Sequence, residues 1–375
     1  MRVEHPFLFN FAASYSEGGY KRLHEYARWF GSNGGASFAI HPRCERLRAE
    51  FPGNRYFTVS RSHFMRLYDD SSYLDDIGAV IGRPELYYAY GIPLYRRFGR
   101  VNWFHLQNAL TVGVHTGVPL SMFHRLKFRL LGHRFQRGFA CADIVSAESQ
   151  YSLGLFELPP AARKFLSANG NDDELGHLSD GRRAPSPDNV ATAVGTFSYK
   201  APREAFTLFQ TLRDSNPGLK LVVIGDAEQL PGWLRRHSDV VIRGRLERQA
   251  VIEALRRSRF YISATHVENS YNAAAEGAFL ANESFISDIP PHRELLQGES
   301  FEPVRFAGLK RPFLHLHRDR LKGANLKSWH TIITQMIDRM RHESFDIPEV
   351  VELRPAAAAT VQAVPAGRRR RRSLR

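Results

Sequence analysis

The segment His266-Val267-Glu268-Asn269-Ser270-Tyr271-Asn272-Ala273-Ala274-Ala275-Glu276-Gly277 carries two carboxylates eight positions apart. At ~1.5 Å of rise per residue, a helix would separate them by about 12 Å. That is longer than the roughly 5–9.5 Å between the paired carboxylates of a glycosidase, so the two are not read as an acid and base acting on one bond. The spacing suits a grip on the two ends of an elongated ligand. A helix starting between them would offer free backbone N–H groups to a phosphate. A second cluster, Val194-Gly195-Thr196-Phe197-Ser198-Tyr199-Lys200, runs from a strand toward a helix. It ends on the cation Lys200, with Arg203 just beyond. A third, Ser14-Tyr15-Ser16-Glu17-Gly18-Gly19, has two glycines that allow close approach of backbone to ligand. The fourth places His105 at the end of the apolar run Val101-Asn102-Trp103-Phe104, where an imidazole can hydrogen-bond a ligand hydroxyl. No G-x-G-x-x-G and no G-x-x-x-x-G-K-[ST] occurs, so dinucleotide and P-loop chemistry lose support.

Positioning these groups requires alternating strands and helices, an α/β pattern with parallel sheets. Strands are expected at Phe7–Phe11, Ser37–Ile40, Ala79–Ile81, Val101–Phe104 and Asp143–Ser146. A second series is expected at Val190–Val194, Leu219–Ile224, Asp239–Ile242, Phe260–Ser263 and Ser284–Ser287. Tyr20, Leu23, Ala27 and Phe30 have helical spacing, and further helices are expected at Arg203–Leu212, Gln249–Arg257 and Leu326–Met340. The composition turns polar and Gly/Pro-rich over 175–189, which marks a linker. The expected organisation is therefore a first domain over 1–174, the linker 175–189 and a second domain over 190–325. A helical segment over 326–353 is expected to cross back to the first domain, ahead of a disordered basic tail over 354–375. Ligands of such sheets bind at the carboxyl ends of the strands, so a cleft between two halves suits a two-substrate reaction.

The 375 residues are 43% hydrophobic, ordinary for a globular protein. No stretch approaches the ~20 apolar residues of a membrane span. The amino terminus lacks a secretory apolar core, and Cys44 and Cys141 cannot build a disulfide framework. A cytoplasmic location is expected, with peripheral attachment at the inner face of the cell membrane. The net charge is 52 − 38 = +14, of which Arg368 to Arg372 and Arg375 supply six. Such a surface attracts phosphates, whether of nucleotides, anionic lipid or nucleic acid. Phe123–Phe139 mixes apolar residues with Arg125, Lys127, Arg129, Arg134 and Arg137. On a helix its apolar positions fall in two separate arcs, which favours a structural helix over a membrane-lying one. The Arg run of the tail could add adhesion to an anionic membrane. The pairs Asp69-Asp70, Asp75-Asp76 and Asp172-Asp173 do not form a D-x-D, and neither a metal nor a cofactor is expected. A nucleic-acid-binding protein is the rival suggested by charge, without a recognisable module to support it.

Glu268 and Glu276 resemble the E-x7-E motif of retaining glycosyltransferases of family 4. The run Glu268-Asn269-Ser270-Tyr271-Asn272 is similar to a subgroup reading E-N-C-P-N. Phe285-Ile286-Ser287-Asp288-Ile289-Pro290-Pro291-His292-Arg293-Glu294 is similar to the family's next block. Ala142–Ser149, Asn169-Gly170-Asn171-Asp172, Leu221–Gly225 and Ile242-Arg243-Gly244 resemble further family segments. The match covers most of 7–340, is tightest over 190–296 and is loosest over 42–100. The resemblance implies a GT-B fold, two Rossmann-like domains facing across a cleft. It also implies metal-independent transfer of a sugar from a nucleotide-sugar donor to a saccharide or lipid-linked acceptor, with retention, in polysaccharide or lipopolysaccharide assembly. By position, Glu268 would contact the donor sugar, His105 would lie near it, and Glu276 would hold the ribose hydroxyls. Lys200 and Arg203 would face the diphosphate, Gly244 the base, and Gly18 and Gly19 the donor from across the cleft, with Asn269, Ser270, Tyr271 and Asn272 completing the site. Thr196 stands where the family has Arg, Ala201 where it has Gly, and Tyr271 where the subgroup has Pro. Thr196 and Tyr271 keep an inactive GT-B scaffold as an alternative, and a sugar-nucleotide epimerase is another.

Overall fold

The computed structural model describes residues 6–342 apart from 16, 61–67, 69, 70, 114–117, 172–174 and 176–186. Most of the expected linker, the whole tail, Asp69-Asp70 and Asp172-Asp173 lie outside the described residues. The first sheet has seven parallel strands: β1 Phe7–Asn10, β2 Ser37–Ile40, β3 Arg55–Thr58, β4 Leu86–Tyr90, β5 Val101–His105, β6 Ile144–Ala147 and β7 Arg163–Leu166. Their order is β3-β2-β1-β4-β5-β6-β7. The second has β8 Asp188–Val194, β9 Lys220–Ile224, β10 Val240–Gly244, β11 Ser258–Ser263, β12 Glu283–Ser287, β13 Glu302–Val304 and β14 Phe313–His317. Their order is β10-β9-β8-β11-β12-β14-β13. Here β14 runs antiparallel to β12 and β13 antiparallel to β14.

The helices that flank the sheets and the cleft include α1 Glu17–Ser32, α2 Tyr73–Ile81, α3 Met122–Gly138, α4 Gln150–Gly154, α5 Pro202–Asp214, α6 Arg248–Arg256, α7 Asn272–Leu280, α8 Pro290–Leu295 and α9 Trp329–His342. Helices cover both faces of each sheet, which is why the central strands are apolar runs rather than alternating ones. Within β1, Phe7 and Phe9 join the core holding Tyr26 and Phe30 of α1 and Met336 and Ile337 of α9. Leu8 between them joins the opposite core with Ile77 of α2 and Leu131 and Phe135 of α3. Thus α9 packs against the first sheet. Gly170 lies under it: a Cβ there would meet Trp329 Cα at 2.6 Å. No helix among the described residues is long and apolar enough to cross a membrane.

The expected strand at Ala79–Ile81 is instead the end of α2. Three apolar residues cannot distinguish a period of two from one of 3.6. The wider set Tyr73, Leu74, Ile77 and Ile81 shows the buried helical face, and Gly82 at φ 71° stops the helix. The strand of that region is β4, whose Tyr87, Tyr88 and Tyr90 are buried.

In the second domain, α7 lies almost flush on the sheet. A Cβ at Gly277 would sit 2.1 Å from Tyr261 Cδ1 on β11. Gly277→Ala is therefore expected to destabilise by about 1–3 kcal/mol through overpacking. Thermal unfolding checks this, and an unchanged Tm would contradict so close a contact.

Candidate functional site

Both sheets reverse direction of growth at their centres, between β1 and β4 and between β8 and β11. The loops at the carboxyl ends of these strands carry the sequence-predicted groups. After β8 the chain turns at Gly195, φ 94°, whose Cα side is covered by the Lys200 side chain. Lys200 forms an ion pair with Glu268. Glu268 belongs to the loop after β11, and α7 begins only at Asn272. The helical ruler therefore does not measure the separation of the two carboxylates, because half of their interval is loop. The α7 amino terminus has no side-chain cap. First-turn N–H groups left without a capping side chain can serve an anion.

Glu276, one turn into α7, is nearly buried and held by two cations. Arg248 Nη1 of α6 lies 2.7 Å from one oxygen, and Lys21 Nζ of α1 lies 3.3 Å from the other. Lys21 reaches it from the opposite domain. The same seam is crossed by Asn269, whose Nδ2 donates to the Leu106 carbonyl and to Glu148 Oε2, both at 2.9 Å. Asn169 Nδ2 donates to Ser270 Oγ at 2.9 Å. Gly18 faces Asn272, with 3.9 Å between Asn272 Nδ2 and a Cβ built at 18. A Cβ at Gly19 would meet Gln107 Nε2 at 2.8 Å and Ser14 Cβ at 3.1 Å, so a larger residue there would displace the Gln107 side chain. Glu294, from the block after β12, accepts from the Gln150 and Tyr151 N–H groups at 2.7 Å each, capping α4 across the seam. The segment Glu268–Asn272 thus joins the two domains as well as lining the space between them.

Four predicted residues are engaged in contacts or turns of their own. Thr196 is buried against Gly225, where a Cβ would meet its methyl at 2.7 Å. Arg203 lies over the Trp233 ring at 5.5 Å. Gly244 makes a turn at φ 65° at the end of β10. His105 is wholly enclosed: its ring stacks on Tyr90, Nδ1 lies 2.7 Å from Ser146 Oγ, and Nε2 faces Glu148 Oε1 at 3.6 Å. Trp103 Nε1 donates to the same Ser146 Oγ. The Trp103 N–H and the Ser146 hydroxyl both find acceptors if Ser146 donates to Nδ1. The proton then sits on Nε2, which faces the Glu148 carboxylate without a hydrogen bond. Ala201, in the position where glycine is usual in the resembled family, has φ 50° and ψ 59°. It is the one non-glycine residue with positive φ among those described, which gives the glycine preference its physical reason.

No protein-family model and no curated protein matches the sequence. Solved structures do match. Sucrose-phosphate synthase from Thermosynechococcus elongatus superposes with a TM-score of 0.63 at 13% identity, over 90% of this chain and 99% of that one. HepE from Anabaena, in complex with UDP and glucose, gives 0.56 at 15% identity over the same shares, 90% and 99%. An α,α-trehalose-phosphate synthase (UDP-forming) from Burkholderia xenovorans, in complex with glucose-6-phosphate, gives 0.54 at 10% identity over 78% and 87%.

The chain has the GT-B fold. Within this GT-B cleft, sequence reasoning missed Lys21, Arg248, Arg22 and Glu148. Nothing in the sequence around Arg22 and Glu148 signals burial, yet both are enclosed. Burial by itself would lower the Arg22 pKa, but Tyr88, Tyr26 and Glu148 more than reverse this and hold its charge firmly. Burial pushes Glu148 up, and His105, Arg22 and Tyr90 outweigh it and hold the carboxyl below its ordinary range. Burial, with Arg22 nearby, pushes His105 down to about 4. Burial does the same to His292 of α8, also to about 4.

Among the described residues Glu283, His315 and His317 bring ligand atoms within 4.8 Å of one another, a grouping able to hold a cation. Glu283 opens β12, so the group sits at the end of the sheet opposite the loops of the cleft.

The buried histidines give the GT-B protein a pH dependence of definite sign. Unfolded imidazoles bind protons near 6.5, whereas folded His105 and His292 do so only near 4. Between these values the unfolded state holds more protons, so stability rises with pH across the window and is lost on acidification. Glu148 acts in the same sense below its ordinary pKa, while His24, raised by Glu25 against the opposing effect of burial, acts in the other. Tm is expected to fall as pH drops from 6.5 toward 4. A constant Tm over that range would mean that the two imidazoles are not buried neutral.

Proposed function

We propose that this protein is a retaining glycosyltransferase of the family 4 type, moving a sugar from a nucleoside-diphosphate sugar to a saccharide or lipid-linked acceptor in polysaccharide assembly. The observation that carries the reading is the convergence, at the switch point of the second sheet, of the Lys200–Glu268 pair, the uncapped start of α7 and the doubly gripped Glu276. In this reading the diphosphate lies at the α7 amino terminus beside Lys200. Glu276 holds the ribose, with Arg248 and Lys21 keeping the carboxylate in place. Glu268 faces the sugar. The bond from the anomeric carbon to the diphosphate breaks and a bond to an acceptor hydroxyl forms on the same face. Catalysis comes from stabilising the departing diphosphate and aligning the two substrates. His105 has no exposed surface, so its role here is positioning: it steadies Glu148, which holds Asn269.

Titration with UDP, GDP, ADP and dTDP, each with and without Mg²⁺, tests the donor site by thermal shift. Ligand binding to the native state raises stability by RT ln(1 + [L]/Kd). One diphosphate is expected to stand out, metal or not, and UDP is the first candidate because HepE was solved with UDP. No shift with any of the four would sink the proposal. Burial of Thr196 in place of the family's Arg favours the inactive-scaffold alternative. Unchanged cellular function in a Glu268→Ala variant would support it.

A further inference from the structure

The two apolar arcs of the basic helix α3 have different fates. Leu131 and Phe135 are buried in the first domain, while Met122, Phe123, Leu126 and Leu130 are 87%, 66%, 56% and 49% exposed. Nine large hydrophobic side chains are exposed among the described residues, and four of them lie on this one helix. At about 100° per residue those four fall within one arc of roughly 100°. Arg125 and Arg129 border one side of the arc, and Lys127 and Arg134 the other. No acidic residue occurs anywhere between Glu85 and Asp143, so no carboxylate of this stretch offsets the cations. An apolar strip bordered on both sides by cations matches an anionic bilayer, with the strip at the acyl boundary and the cations at the headgroups. It does not match an acidic protein groove equally well, since the most exposed side chains are apolar ones on a convex helix.

We infer that the outer face of α3 docks this protein on an anionic lipid surface. The inner face of the same helix rests beside the cleft. Phe128 packs against the small apolar cluster of Ala109 and Leu110, in the turn just after β5, Val118, and Val267, the neighbour of Glu268. Gly132 lies so close to this turn that a Cβ would meet the Thr111 carbonyl oxygen at 2.0 Å. Docking would therefore hold the cleft at the membrane surface rather than tether the chain loosely. The inference does not depend on sugar transfer, because binding to vesicles is read without it.

The test is co-sedimentation of the full chain with vesicles of phosphatidylcholine, with and without phosphatidylglycerol. Binding is expected only to the anionic vesicles and should weaken with added salt. Phe123→Ser with Leu126→Ser should weaken it at least about tenfold, since both side chains would lose burial in the acyl boundary. Val80→Ser, at an exposed apolar residue on α2, should leave binding intact. Undiminished binding by the double variant would overturn the inference. So would loss of binding on changing Arg368 to Arg372 to Gln while the helix variant binds normally. Absence of vesicle binding together with self-association that the double variant abolishes would also overturn it, and would assign the face to a second copy of the chain.

Discussion

Under the proposed function, replacing Glu268 with glutamine is expected to lower the rate of sugar transfer by about 10²–10³-fold, the scale of removing one pre-positioned electrostatic contact from a transition state. The side chain sits in the loop between β11 and α7 and has Lys200 as its partner. It is only partly buried, so the fold should tolerate the change, and Tm is expected to stay near that of the parent. The loss should appear in kcat more than in diphosphate binding, because Lys200 and the α7 amino terminus remain. Glu276→Gln should do the reverse. It removes the carboxylate between Arg248 and Lys21 and is expected to weaken nucleoside diphosphate binding first. Steady-state kinetics of the two variants with the diphosphate found by thermal shift makes the comparison. Equal transfer by Glu268→Gln and the parent would remove Glu268 from the chemistry.

Arg22→Met is expected to destabilise the protein by about 3–5 kcal/mol, the cost of breaking a buried ion group by removing one partner. Arg22 is fully buried and donates to Asn169 Oδ1 at 3.1 Å, to the Ser167 carbonyl at 2.9 Å and to the Ala168 carbonyl at 3.0 Å. Its guanidinium lies 3.8 Å from Glu148 and stacks near Tyr26, Tyr90 and Trp329. Methionine would fill much of the volume but leave the carbonyls without donors and Glu148 without its cation. Glu148→Gln in the same chain should recover part of the loss by removing the stranded charge. Urea unfolding of the parent and the two variants reads both effects. A change under about 1 kcal/mol for Arg22→Met would show that the cluster is not the keystone its geometry indicates.

Much of the architecture is legible in short stretches. Phe7–Asn10, Ser37–Ile40 and Lys220–Ile224 are largely apolar runs of strand length, and each is a parallel strand paired on both sides. Runs that rely on neighbours were harder to read. Leu86–Tyr90 is rich in tyrosine, whose hydroxyls hide its burial. Arg163–Leu166 is charged at its start and lies at a sheet edge. The antiparallel pair β13 and β14 has no marker of its direction, because Phe313–His317 alternates like any half-buried strand.

The candidate site divides along the same line. Glu268, Glu276 and Lys200 are legible because type and spacing, set within a strand-loop-helix run, carry the family resemblance, and strand and helix are local properties. Lys21 and Arg248 cannot, since their partner Glu276 is 255 residues from one of them and their meaning depends on two domains closing on one carboxylate. His105 shows the limit from the other side. Its place at the end of β5 is evident in the sequence, but its enclosure by Tyr90, Ser146 and Glu148 is made by three other segments. For α3, residue order alone makes the helix basic with two apolar arcs. Packing settles which arc is core and which is surface, because burial depends on what lies opposite a side chain, and that is not encoded in the side chain's own stretch of chain.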